Sequence, residues 1–294
     1  HAIACGCDPL VAIQMATLNT ATHFGLEREL GSITPGRRAD IIFTSDLETL
    51  PIDYVIARGN TVAINGDIKT ECPHLSWPKN VRETVNMGTD KKSEDFLITA
   101  PEGMSRVDVR VIGVVENQAP TKELNASLPV RNGIICGEGE VCQVALVERH
   151  QATGAVTNAF VSGFGYKGDM AVASTVAHDS HHMIVVGTCH KNMALAANRL
   201  AKVGGGVTVW KGGEELALVE LPIAGLMSDA AASTVAAKAD DMVKAMAECG
   251  CSLNNAYMQH SLLALVVIPE LRISDLGLVD VKKFEITSVL RGIG

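Results

Sequence analysis

Four of the nine histidines fall within thirteen residues, at His178, His181, His182 and His190. The tightest part reads His178-Asp179-Ser180-His181-His182 and precedes an apolar run, Met183 to Val186. On a turn or a helical end, His178 shares a face with His181 or His182, and the Asp179 carboxylate can orient an imidazole. Imidazoles so grouped bind divalent transition metals or move protons near neutral pH. The candidate supporting catalytic residues are therefore His178, Asp179 and His181, and the candidate accessory metal ligands are His178, His181 and His182. A bland alternative stays open beside these: an exposed polar turn whose histidines only satisfy backbone groups.

A second pattern, Gly163-Phe164-Gly165-Tyr166-Lys167-Gly168, spells a dinucleotide-binding turn and follows the strand-like Ala159-Phe160-Val161. That chemistry also needs an acid about 20 residues further on to hold the ribose hydroxyls. Here the corresponding run ends in Gly187-Thr188-Cys189, so a glycine-rich bend is the better reading, and an oxidoreductase resting on Gly163, Gly165 and Gly168 is the weaker alternative. There is no His-Glu-x-x-His and no Gly-x-Ser-x-Gly, which excludes a zincin helix and a nucleophile elbow. Gly204-Gly205-Gly206 has no Lys-Ser/Thr after it and suits a helix end rather than a phosphate loop. Cys5/Cys7 and Cys249/Cys251 are Cys-x-Cys pairs, not zinc or thioredoxin spacings, so the eight cysteines read as small hydrophobes kept reduced, as in cytoplasm.

The 294 residues are 47% hydrophobic and 20% charged, with a formal net charge of −8. That composition builds a sizeable core, and the acidity repels phosphate backbones, arguing against nucleic-acid binding. The longest clear apolar run, Leu262 to Ile268, is far short of the ~18 residues a membrane helix needs.

Several elements can be placed by mechanism. Asp8-Pro9 starts a helix that continues to Phe24 and stops at Gly25. A buried strand is expected at 39–43, and a hairpin over 54–64 turning at Gly59-Asn60, with Asn65-Gly66 beyond it. Pro73 and Pro78 bracket a boundary near Cys72 to Lys79. Past it the pattern is mixed: strands at 107–111, 141–147 and 183–186, a helix from Met193 to Val203, and a hairpin, 207–210 with 216–221, around Gly212-Gly213. Leu221 to Asp229 forms a Pro/Gly turn into a long Ala-rich helix that Asp229 caps and Gly250 ends.

The stretch Gly31-Ser32-Ile33-Thr34-Pro35-Gly36-Arg37-Arg38-Ala39-Asp40-Ile41-Ile42 resembles the exit from the barrel of the metal-dependent amidohydrolase superfamily. Arg149-His150, Gly163-Phe164-Gly165, Ala177 to His181, Leu221 to Asp229 and Val267 to Leu271 together resemble the C-terminal domain of the bacterial adenine deaminase family. The resemblance covers essentially the whole chain. It implies a mixed α/β (α+β) fold in three parts: the last helix of a TIM-like barrel (1–30), a segment of a small β-sandwich domain (31–72) and a family-specific α/β domain (73–294).

The same resemblance implies hydrolysis of adenine to hypoxanthine and ammonia in purine salvage, with a binuclear manganese or iron site whose ligands sit on barrel strands. Those strands are expected to lie outside this chain, which begins without Met at His1-Ala2-Ile3 and has no His-x-His. No barrel ligand is therefore carried onto any residue here. The family pattern more often has Asn at the position of His182, which leaves His178, Asp179 and His181 as the core of the cluster. A cytoplasmic homodimer is the implied assembly, and a noncatalytic domain that dimerises or closes the site is the alternative role.

Overall fold

The computed structural model describes residues 1–71 and 75–292, and the chain divides into two compact units, His1–Ser76 and Trp77–Gly294. Cys72 and Pro73, where the sequence puts a boundary, lie outside the described residues.

In the first unit the Asp8 carboxylate accepts hydrogen bonds from the amides of Leu10 and Val11, as a Ser/Thr/Asp/Asn cap should, contributing about 1 kcal/mol. Helix α1 (Pro9–Gln14) runs through a π turn (Met15–Asn19) into α2 (Thr20–His23). The Thr20 hydroxyl donates to the Met15 carbonyl five residues back, where the i to i−4 ladder widens. Strands β1 (Ile41–Phe43), β2 (Tyr54–Ala57), β3 (Asn60–Ile64) and β4 (Asp67–Ile68) follow in an antiparallel sheet of that order. The β2–β3 turn centres on Arg58-Gly59, one residue before the expected Gly59-Asn60, because Asn60 already pairs with Ala57. Arg58 and Gly59 take the two positive φ angles that a tight hairpin needs, and so do Asn65 and Gly66 between β3 and β4.

The second unit opens with α3 (Lys79–Arg82) and a 3₁₀ turn (Ser93–Phe96). It continues with β5 (Arg106–Gly113), β6 (Lys122–Arg131), β7 (Ile134–Ile135), β8 (Cys142–Val147), β9 (Val156–Ser162), β10 (Met170–Ser174) and β11 (Met183–Gly187). Then come α4 (His190–Val203), β12 (Gly206–Lys211), β13 (Glu214–Glu220), α5 (Ala232–Glu248), α6 (Ala256–Leu262), β14 (Leu271–Ser274), β15 (Gly277–Asp280) and β16 (Glu285–Thr287). Nine strands form one sheet in the order β13-β12-β10-β11-β8-β9-β5-β6-β7, and β14-β15-β16 form a second. Among the described residues only β5 and β9 pair in parallel, so the α/β domain is a mixed, largely antiparallel one.

Strands β8, β10 and β11 are buried along their whole length, which explains why they read as continuous apolar runs rather than as alternation. Val144, Leu146, Ile184 and Val186 face one core with Met242 and Met246 of α5. Ala145, Val147, Met183 and Val185 face the other with Met193, Ala197 and Leu200 of α4. The sheet is thus the middle layer of three.

Further expectations fail locally. Strand β1 forms but is not buried, since Ile42 and Phe43 are both exposed. Asp229 does not cap α5: the cap residue is Ala231, and the Asp229 carboxylate instead pairs with Arg82 at 2.7 Å. The glycine pattern at 163–168 opens strand β10 rather than a helix, so no helix amides face it, and Gly165 packs instead against the Gly250 carbonyl. That removes the physical basis of a dinucleotide site.

Candidate functional site

Register places the histidines. Strands β8 and β11 pair antiparallel with Val147 opposite Met183, so the residues that follow β8 run beside those that precede β11. Extending the count sets Arg149 across from His181 and His150 across from Ser180. Side chains take over the ladder where the strands end. The Arg149 Nε–H donates to the His181 carbonyl at 2.5 Å, and the His150 Nε2–H donates to the Ser180 carbonyl at 2.8 Å. From the other side, the His178 amide donates to the carbonyl of Ser261 in α6 at 3.0 Å.

At this end of the sheet the imidazoles form two pairs. His178 and His181 have ring centroids 5.4 Å apart, edge to face. His182 turns away from both and lies 4.7 Å from His150, with its Nε2 3.7 Å from a carboxylate oxygen of Asp275 in the β14–β15 turn. Asp179 is exposed beside the first pair. The sequence-predicted core of His178, Asp179 and His181 is therefore brought together, and His182 is not part of it.

The electrostatics favour neutral rings. Burial, with help from His178 and Arg149, holds His181 below the usual imidazole range. Burial also lowers His182, against the pull of Asp275. The Nδ1 atoms of both rings are buried without a hydrogen-bond partner, as is the Thr84 hydroxyl. Neutral imidazoles with bare ring nitrogens can accept or relay a proton. Among the described residues no three His, Cys, Asp or Glu side chains converge as metal ligands, and His182 lies with His150 rather than with His178 and His181. His190, the fourth histidine of the window, starts α4 and donates to Gln143 Oε1 at 2.9 Å, away from this loop.

Sequence reasoning missed Glu148. Its carboxylate accepts from the amides of His150, Gln151 and Thr153 and from the Thr153 hydroxyl, closing the loop that aims His150. Burial pushes its pKa up, but these bonds outweigh burial and bring it down to about 2. A glutamate at a strand end, followed five residues later by Thr-Gly, was the available signal.

The first unit holds an apolar groove of about 540 Å³, lined by Ile13, Phe24, Leu30 and Ile41 among others and by no histidine or cysteine. All seven described cysteines are free, and Cys142, Cys249 and Cys251 are buried as expected of small hydrophobes, whereas Cys5 is exposed. Among the described residues no helix is long and apolar enough to cross a membrane.

A family model described as "Adenine deaminase C-terminal domain" matches residues 118–285, and one described as "Amidohydrolase family" matches residues 1–62. The chain is 74% identical over 285 residues to the adenine deaminase of Ruegeria sp. (strain TM1040), covering 97% of this chain and 47% of that protein. It is 70% identical over 290 residues to the adenine deaminase of Roseobacter denitrificans, covering 99% and 48%. The adenine deaminase of Moorella thermoacetica is 43% identical over 294 residues, covering 99% and 49%. The chain spans about half the length of the curated relatives it matches.

Proposed function

We propose a function from one premise: the chain belongs to the adenine deaminase family. In this reading it is the C-terminal half of an enzyme that hydrolyses adenine. Water oxygen adds to the ring carbon bearing the amino group, the C–N bond breaks, and a proton passes to the leaving nitrogen, giving hypoxanthine and ammonia. The observation that carries the reading is 74% identity, along nearly the whole chain, to a protein named for that reaction.

The amidohydrolase match supports a divalent metal in the whole enzyme, and we assign manganese or iron, as a pair, to residues outside this chain. The described residues do not fit a metal site, so this chain's part is to position groups and close the site. His178, Asp179 and His181 are its contribution, at the mouth of the reaction chamber. His181, held neutral at pH 7, is suited to receive and return a proton. The exposed apolar side chains of the opening helix, Leu10 at 65%, Met15 at 56% and Phe24 at 70%, support its role as the last helix of a barrel whose other elements cover them. The reading extends to a homodimeric, cytoplasmic enzyme of purine salvage.

Replacing His178 with Ala in the intact enzyme is expected to lower the rate of ammonia release from adenine roughly tenfold or more while leaving the melting temperature nearly unchanged. A variant with full turnover and unaltered metal content would overturn the role. The chain on its own, folded and supplied with manganese, is expected to release no ammonia, and chelator-sensitive turnover from it would move the chemistry back onto the His178 loop.

A further inference from the structure

His181 stands in the left-handed region at φ +52, a conformation that is costly for a non-glycine residue and persists only where its surroundings over-determine it. Three consecutive residues across the sheet end supply that determination. Arg149 is 1% exposed and has no carboxylate within ion-pairing distance among the described residues. Its fork is spent instead on three carbonyls from three separate segments: His181 through Nε at 2.5 Å, Thr84 through Nη1 at 3.1 Å and Ala224 through Nη2 at 3.2 Å. Gly225 lies flat against the guanidinium, where a Cβ would come within 2.9 Å of Nη1. His150, exposed itself, holds the neighbouring Ser180 carbonyl, and Glu148 folds the loop that presents His150.

We infer that Glu148-Arg149-His150 is a positioning clamp that grips two successive carbonyls of the β10–β11 loop and so fixes where His178 and His181 point. The clamp rests on the proposed role of that loop in adenine hydrolysis and adds residues that touch neither substrate nor metal. A planar fork is what the geometry requires. Lysine, a point charge with a flexible stem, cannot serve three carbonyls lying in three directions, so Arg149→Lys is a deletion of geometry with the charge kept. The buried charge is affordable because each nitrogen that leaves water gains a carbonyl oxygen.

The test uses the intact enzyme with Arg149→Lys, His150→Ala and His150→Gln, read by adenine deamination kinetics and by the NMR signals of Cε1-labelled histidine. The expected result for Arg149→Lys and His150→Ala is a roughly tenfold fall in kcat with KM within about twofold, together with displaced imidazole signals for His178 and His181. His150→Gln, which restores an N–H donor, recovers part of the loss. In a His178→Ala background the cost of Arg149→Lys shrinks to about twofold or less, because the clamp acts through the loop.

Folded variants whose His178 and His181 signals do not move would overturn the clamp. Signals that move while kcat stays at the level of the unsubstituted enzyme would leave the clamp standing and overturn the catalytic role of the loop. Since His150 is on the surface, its variants decide the matter even if Arg149→Lys does not fold.

Discussion

Gly206→Ala is expected to destabilise the second unit by about 3–5 kcal/mol, lowering its melting temperature by roughly 10 °C. Gly206 opens β12 at φ +143 and is fully enclosed. Its amide donates to the Thr175 hydroxyl at 2.8 Å, and its carbonyl accepts the Thr175 amide at 2.9 Å. An added Cβ would land inside the Val219 carbonyl oxygen and 3.2 Å from the Glu220 Cα, both main-chain atoms of the paired strand. A flexible side chain could swing away, but these atoms cannot without parting β12 from β13.

The neighbouring glycine makes the damage reach further. Gly205 sits where a Cβ would come within 2.5 Å of the Gly225 Cα, so the start of β12 also sets the height of the 221–228 turn. That turn carries the Ala224 carbonyl on which Arg149 anchors. Gly212→Asn is the control: its surroundings are open, its φ of +60 suits asparagine, and the expected change is under about 0.5 kcal/mol. Denaturant titrations of the two variants side by side make the comparison, and equal midpoints would sink the packing argument.

What could be read in the sequence was what local chemistry determines. Asp8-Pro9 caps its helix because a carboxylate and a missing N–H solve a problem two residues long. Gly212-Gly213 turns a hairpin because only two positive φ angles close it, and Gly204 ends α4 for the same reason. The cluster of His178, Asp179 and His181 was visible as an excess of imidazole in a short polar stretch. Asp229 shows where this stops: it has the right type and place for a cap, but Arg82, 147 residues away, competes for it and wins. Partners that distant leave no periodicity behind.

The pairing of His182 with His150, and the grip of Arg149 on His181, depend on β8 lying next to β11. Strand adjacency in a nine-stranded sheet with one parallel pair is a global property. Arg149 stands in the sequence only as part of the family pattern with His150, and nothing local says that its counterparts are carbonyls rather than carboxylates. Its burial follows from the fold, and its meaning follows from its burial.

Acid is expected to unfold the second unit through His260, beginning well above the carboxylate range. His260 lies in α6 at 1% exposure, hydrogen-bonded through Nε2 to the Tyr166 hydroxyl at 2.7 Å, with the Phe164 ring centroid 4.3 Å away and Nδ1 unpartnered. Burial alone drives its pKa down to about 3. In the unfolded chain the same ring titrates near 6.5, so below that pH the unfolded state takes up a proton that the folded state refuses. Stability is therefore untouched above about pH 6.5 and falls by about 1.4 kcal/mol per pH unit beneath it, which is roughly 2 kcal/mol by pH 5. Burial lowers His181, His182 and His190 as well, and these add with the same sign. The low carboxyl of Glu148 joins only as the pH drops through the ordinary carboxylate range towards 2, so the window from pH 6.5 to 5 belongs to the imidazoles. His260→Gln starts from lower stability at pH 7, having lost the fitted ring, yet its urea midpoint should fall less steeply between pH 7 and pH 5, by the share of one proton. Parallel pH curves for the two proteins would mean that His260 takes up its proton in the folded core, and that something in that core, Tyr166 or the thiol of Cys251, accommodates the charge.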